Sequence, residues 1–408
     1  MNIKKKTGLS ILFFVVFLDL LGVGIAIPVL APLFLESNVI IPAAWSESMR
    51  TISLGVLIGA YPLAQFIGAP ILGNLSDRYG RKPVLKFSLF GTLIGYLLFA
   101  LGIITNQLWL LFFSRILDGF TGGNIAVANS AIADLSPTDK DKAKNFGLIG
   151  AAFGVGFVIG PFIGGIFSDS SVISWFSPAL PFFIMAFLGA LNLILLELEF
   201  KETLKESKKT KISLLSGFEN IKKAFKYKKL RIMFLVTFLH ALGFTFFTHF
   251  FPVYLIQKYA FSNSELGLFY GYIGIWIALG HGVIARVAAN YFKSETTLRF
   301  APFLLSLSLV LLVVPEHVGW LFFSQALVAS FEGLTFPNVT TVISKLSSPE
   351  KQGEVLGITQ SLRALAEGIT PIISGFIVIA GPSVPTLTAA AIIFVAWLVF
   401  ITSFKVKS

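Results

Sequence analysis

Six ionisable side chains lie inside long apolar stretches of this 408-residue chain: Asp19, Arg115, Asp118, Glu332, Arg363 and Glu367. Each costs about 2.5–3.5 kcal/mol at the centre of a membrane-spanning helix, so six facing lipid would cost roughly 15–20 kcal/mol, and they must face inward. Arg115 and Asp118 are three residues apart, and Arg363 and Glu367 four apart, so each pair can share a helix face. Mutual neutralisation, which lets the helices insert, is as good a reading of these two pairs as a functional one. Asp19 and Glu332 are then left without an obvious base. An unpaired carboxylate in a low-dielectric cavity is suited to exchanging protons or holding a cationic substrate. His240 is a candidate proton relay, although a histidine inside a membrane helix is more often a hydrogen-bonded packing residue. Gln65 and Asn124 are further polar candidates for a substrate cavity.

The elements that must position these groups are helices. The chain is 55% hydrophobic and 13% charged, whereas soluble chains carry about 25% charged residues. A backbone in lipid must satisfy its own hydrogen bonds, and the short alternating segments of a spanning β-barrel are absent from the sequence. Apolar runs predict twelve spans, at 9–35, 51–74, 83–104, 108–133, 145–168, 178–198, 231–257, 265–288, 299–315, 318–344, 353–380 and 386–404. The first run follows Lys4, Lys5 and Lys6 as a signal peptide would, but it is too long for one and carries Asp19, so it reads as a retained helix. At about 1.5 Å per residue, Asp19, Asp118, Glu332 and Arg363 fall near mid-depth, with Arg115 and Glu367 within about two turns of it.

Lysine and arginine fix the orientation. With the N-terminus inside, the inner segments hold Lys4 to Lys6, then Arg78, Arg81, Lys82 and Lys86, then Lys140, Lys142 and Lys144, and the run of bases from Lys201 to Arg231. The outer loops hold only Arg50 and Lys258. The net charge of +11 is therefore a matter of topology and anionic lipid, not of nucleic acid. Residues 199–230 form a basic cytoplasmic linker between an N-terminal bundle, 1–198, and a C-terminal bundle, 231–408. Its stretch 217–230 has the pattern of an amphipathic surface helix. The chain contains no cysteine, so there is no thiolate metal site, and neither a metal nor a cofactor is expected.

The two halves repeat. Sliding the sequence against itself aligns Leu111-Phe112-Phe113-Ser114 with Leu321-Phe322-Phe323-Ser324, and with small gaps Gly147 with Gly357, Pro161 with Pro371 and Gly165 with Gly375. Such duplication is the mark of a 6+6 transporter with its site near the midplane.

Between the second and third spans runs Gly73-Asn-Leu-Ser-Asp77-Arg78-Tyr-Gly80-Arg81-Lys82. Its glycines permit a tight turn and close backbone approach. The ordered pattern exceeds what positive-inside bias alone requires. It resembles the signature of the major facilitator superfamily, which implies a conformational latch at Gly73, Asp77, Arg78, Gly80 and Arg81. Three further stretches resemble the twelve-span drug:proton antiporters and their tetracycline-efflux-like branch: Asp19 to Pro28, Arg115 to Asp134, and Gly156 to Gly165. The resemblance implies an all-α polytopic membrane protein of major facilitator fold, with two six-helix bundles around a central cavity. Where the tetracycline exporters carry an acidic residue in the third span this chain has Gly95, a departure that bears on tetracycline as substrate.

Gly156, Gly160 and Gly164, with Pro161, place a small-residue stripe on the fifth span. Backbone-to-backbone packing is its ordinary reading; the resemblance adds a hinge or seal, and a tilt toward export. The expected function is secondary active, proton-coupled export of a small amphipathic compound, of multidrug or tetracycline type. The alternative is a proton-coupled importer of a nutrient, sugar or siderophore. The expected partners are a small-molecule substrate, protons and the lipid bilayer, with no nucleic acid, and a monomer is expected in the cell membrane. No Walker motif, His-Glu-x-x-His motif or Ser/His/Asp arrangement supports an enzyme. With both termini and the linker cytoplasmic, a Lys208→Cys variant in this cysteine-free chain is expected to resist an impermeant maleimide added to intact cells. Rapid labelling from outside would reverse the topology.

Overall fold

Long apolar segments whose amides cannot bond water close into helices. The computed structural model describes residues 3–37, 39–136, 138–204, 207, 215–227, 229–347 and 352–404, and among these it contains helices and turns but no strand. Most of the linker between 205 and 214, including Lys208, and the last bases Lys405 and Lys407 lie outside the described residues. The helices are α1 (Ile3–Leu35), α2 (Glu47–Tyr79), α3 (Arg81–Ile104), α4 (Leu108–Thr121), α5 (Asn124–Leu135), α6 (Asp139–Ser168) and α7 (Leu180–Glu199). They continue with α8 (Ser216–Lys226), α9 (Arg231–Tyr259), α10 (Asn263–Leu279), α11 (Ala285–Tyr291), α12 (Ser294–Val313), α13 (Val318–Leu346), α14 (Gln352–Ile377) and α15 (Val384–Ser403).

Among the described residues ten helices are long and apolar enough to cross a membrane. The expected fourth span, 108–133, does not qualify as one unbroken helix because it breaks at Gly122 and Gly123 into α4 and α5. The expected fifth span, 145–168, lies within α6 (Asp139–Ser168). α10 and α11 run together through a π-helical turn, Gly280–Ile284, which carries His281. Such turns interrupt helices most often at functional positions.

Contacts divide the chain into two compact units. The first comprises Met1–Trp45, Ala60–Ser216 and Ser262–Gly271. Its core gathers Leu12 and Val15 of α1, Leu85 of α3, Val127 and Ala131 of α5, and Leu196 with Phe200 at the end of α7. α1 lies against α6 at the glycine stripe: a Cβ on Gly160 would sit 2.9 Å from Gly24 Cα, and one on Gly24 2.9 Å from Pro161 Cδ. A Cβ on Gly164 would meet the Ile25 carbonyl. The second unit comprises Ser46–Gly59, Gly217–Phe261 and Tyr272–Ser408. Met233, Leu298, Val339, Ile343, Ile358 and Phe400 form its core. There α8 covers residues 217–226 of the stretch 217–230 read as amphipathic, with Ala224 buried and Lys223 paired to Glu354 at 3.1 Å, while Phe218, Phe225, Lys222 and Lys226 are exposed.

Because the α1–α6 contact has no room for a side chain, Gly160→Val should lower the melting temperature of the purified protein, overpacking of this kind costing about 1–3 kcal/mol. Gly189→Ala, at a position with nothing within 4 Å, is the control and should melt like the parent. Equal melting of the two variants would contradict the contact.

Candidate functional site

The first unit buries one polar cluster. Asp19 of α1 is 3% exposed; its Oδ1 is 3.5 Å from Asn124 Nδ2, and its Oδ2 has no hydrogen-bond partner. Asn124 reaches it because it opens α5 immediately after the break at Gly122 and Gly123. Gln65 supports that break, donating from Nε2 to the Gly122 carbonyl at 2.9 Å. Arg115 and Asp118 of α4 pair at 3.5 Å, both buried, as their spacing foretold. The Arg115 guanidinium also lies over the ring of Phe99, 4.6 Å from its centroid, with Tyr61 and Phe182 at 5.8 and 5.9 Å. Aromatic faces thus provide part of the stabilisation that water would otherwise give this cation.

Gly95 has a steric reason. A Cβ there would come within 2.8 Å of Asp118 Cβ, so a larger side chain in the third span and the carboxylate of Asp118 compete for one place. Tyr96, next in sequence, is a residue the sequence reading missed. It is buried, within electrostatic reach of Asp118, Asp19 and Arg115, and its hydroxyl occupies the space left by the absent side chain of Gly22. The glycine of the first-span motif was the available signal.

The second unit buries another cluster. Here the reading of Glu332 as lacking a base does not hold: His240 Nε2 of α9 is 2.9 Å from Glu332 Oε2 of α13, both buried. Ninety-two positions separate the two residues, so no helical spacing announced the pair. Arg363 of α14 donates from Nη2 to Thr340 Oγ1 at 3.0 Å and lies 4.1 Å from the Phe336 centroid. Glu367 lies one turn further along α14 from Arg363.

At the junction of α2 and α3, Arg81 is 6% exposed and gathers the signature residues around it. Its guanidinium donates to Asp77 Oδ1, to Ser76 Oγ at 2.7 Å and to Asp134 Oδ2 at 3.1 Å. Ser76 in turn donates to the Gly73 carbonyl at 2.7 Å. Arg78 points elsewhere, over the ring of Tyr79 at 5.2 Å. Sequence reasoning also missed Glu202, whose carboxylate accepts from the backbone amides of Arg81 and Lys82 at 2.9 and 3.0 Å. A glutamate just beyond an apolar span is too common a feature to have marked it.

Residues 12–366 match the profile of the Major Facilitator Superfamily. The chain belongs to that superfamily. It is 30% identical to the class H tetracycline resistance protein of Pasteurella multocida over 91% of this chain and 88% of that protein. It is 28% identical to multidrug resistance protein 1 of Bacillus subtilis over 92% and 90%. These full-length matches place it in the tetracycline-efflux-like branch of the drug:proton antiporters. Among solved structures, a D-xylose–proton symporter superposes with a TM-score of 0.77 at 16% identity, covering 100% of this chain and 99% of that one. At that identity the likeness speaks for the major facilitator fold.

The competition between position 95 and Asp118 is testable without a substrate. Gly95→Ala should lower the melting temperature in the parent but much less in an Asp118→Ala background, a non-additive pair of the kind expected for groups in contact. Additive effects would place Asp118 away from α3.

Proposed function

We propose that this member of the superfamily is a secondary active exporter that moves a small amphipathic compound out across the cell membrane in exchange for protons, with Asp19 as the residue that carries the proton. The observation that supports Asp19 is its environment. It is buried, the Asn124 amide lies 3.5 Å from one of its oxygens, and among the described residues the other oxygen has no hydrogen-bond partner. The local charge count agrees: when ionised, Asp19 and Asp118 outnumber Arg115 by one negative charge in this cluster. An uncompensated buried charge costs several kcal/mol, so a carriable proton belongs on Asp19. Alternating access of water to the site supplies the change of environment that loads and unloads it.

The other groups take supporting parts. Arg115 and Asp118, with Gln65 and Asn124, shape the polar end of the cavity in the N-terminal bundle, 1–198. His240, Glu332, Arg363 and Glu367 do so in the C-terminal bundle, 231–408, with the basic linker 199–230 between them. Gly73, Asp77, Arg78, Gly80 and Arg81 form the cytoplasmic latch. Gly156, Gly160, Pro161 and Gly164 give the close seam between α1 and α6, a hinge or seal. The relatives named for tetracycline and multidrug resistance support export over nutrient import. The protein works as a monomer with both termini in the cytoplasm.

Reconstituted in proteoliposomes with an imposed pH gradient, the parent should move ethidium or tetracycline in the direction opposite to protons. Asp19→Asn should remove gradient-driven accumulation, to the level of empty vesicles, while retaining binding of the same probe. A normal dependence of flux on the pH gradient in Asp19→Asn would remove Asp19 from the coupling step, and a shift of that loss to His240→Gln would assign it to the pair in the second unit. Accumulation running with the proton flow would instead make the protein an importer.

A further inference from the structure

We propose that Glu202, which follows α7 in the linker, is a positioning residue of the cytoplasmic latch: it caps α3 from outside that helix and so seats Arg81 between Asp77 and Asp134. The inference rests on the latch reading given above. α3 starts at Arg81, and the residue before it, Gly80, has no side chain with which to cap the helix. The first amides of a helix are orphan donors and need an acceptor. Glu202 supplies both oxygens: Oε1 accepts from Arg81 N at 2.9 Å and Oε2 from Lys82 N at 3.0 Å. Oε1 also accepts from Thr203 N at 2.9 Å and Leu204 N at 2.8 Å, which closes the linker's own turn around the carboxylate. A cap normally sits beside the helix it serves; this one comes from 121 residues further along the chain.

Gly80 makes the docking possible. Its φ is +106°, a region that favours glycine, and a Cβ there would lie 2.5 Å from Glu202 Oε2. The glycine of the signature is thus the socket for a residue the signature does not contain. Neighbouring bonds fasten the same segment. Thr203 Oγ1 donates to Asp134 Oδ2 at 3.1 Å, the oxygen that also receives Arg81 Nε. Ser207 Oγ donates to the Arg78 carbonyl at 2.8 Å, and Lys82 Nζ to the Glu197 carbonyl at 2.7 Å. The charged groups linked to the cap are therefore Arg78 of α2, Arg81 and Lys82 of α3, Asp134 of α5 and Glu197 of α7. A carboxylate at a helix N-terminus is favoured by the helix dipole. Burial pushes the Glu202 carboxyl up, but the amides of Leu204, Arg81, Lys82 and Thr203 outweigh it and hold the group below the usual glutamate range.

Glu202→Gln keeps the size of the side chain but presents an amide N–H₂ to backbone donors. In hydrogen–deuterium exchange at pH 7, the peptide containing Arg81 and Lys82 should exchange about tenfold faster in this variant, the scale of a lost helix cap. Because the folded-state pKa is lowered, the stability that the parent holds over Glu202→Gln is complete above the unfolded value of about 4.3 and lost as the pH falls through the folded value beneath it. The melting difference should accordingly close toward pH 3, which a purely steric role would not produce. Seating of Arg81 is read by a double-mutant cycle of Glu202→Gln with Asp134→Asn, expected to be non-additive in melting temperature. In vesicles, Glu202→Gln should lower the maximal rate of ethidium export with the KM unchanged. Unchanged exchange at Arg81 and Lys82, or additivity in the cycle, overturns the proposal. Faster exchange with an unaltered transport rate reduces the cap to a structural staple and overturns it as a positioning residue. A parent that moves no ethidium tells against the exporter reading alone, since exchange and the cycle need no substrate.

Discussion

An ionised group loses most of its hydration when it enters lipid or a dry protein interior, and the penalty in real proteins is still several kcal/mol per ion. That penalty orders this molecule. It gathers the few charges of the apolar helices into clusters inside each unit. Arg115 shows how far the arrangement goes, since a single carboxylate at 3.5 Å is supplemented by three aromatic rings. Arg363 likewise leans on the Phe336 face and the Thr340 hydroxyl.

Local relations along one helix were legible in the sequence. Arg115 and Asp118 meet because residues three apart share a face, and the glycines at 156, 160 and 164 meet α1 because four-residue spacing keeps them in line. Relations between helices were not. His240 and Glu332 come together from α9 and α13, and nothing in periodicity specifies which faces of two distant helices will abut. The split of the fourth span was hidden as well: Gly122 and Gly123 read as small residues in an apolar run, while their effect depends on Gln65 taking up a freed carbonyl. The single lysine-rich stretch gave the amphipathic α8 because period and charge are properties of one segment.

Gly95 illustrates a third kind of information, carried by absence. A glycine in an apolar helix says only that something comes close; the sequence does not say what. Here the close group is Asp118, so a missing side chain on α3 and a carboxylate on α4 are one design feature. Gly22 and the Tyr96 hydroxyl make a second such pair, and Gly80 and Glu202 a third. In each, the glycine was visible before the structure and its partner was not.

The placement of the two kinds of charge follows from dielectric. A latch must break and reform in every cycle, and ion pairs near water contribute only about 0–1 kcal/mol each. The proposed latch would meet this condition at Arg81: its own side chain is 7% exposed, but its partners Asp77 and Asp134 keep 30% and 27% of theirs in solvent. A proton carrier has the opposite requirement, because the two protonation states must differ strongly in free energy between a dry and a wet environment. Asp19, the proposed carrier, would meet that one, being 3% exposed and poorly partnered. Exchanging the two positions would defeat both proposed purposes: a network with all its partners buried would cost about 3–5 kcal/mol each time it was broken, and a carboxylate at the α2–α3 junction would remain hydrated in either state of the proposed cycle.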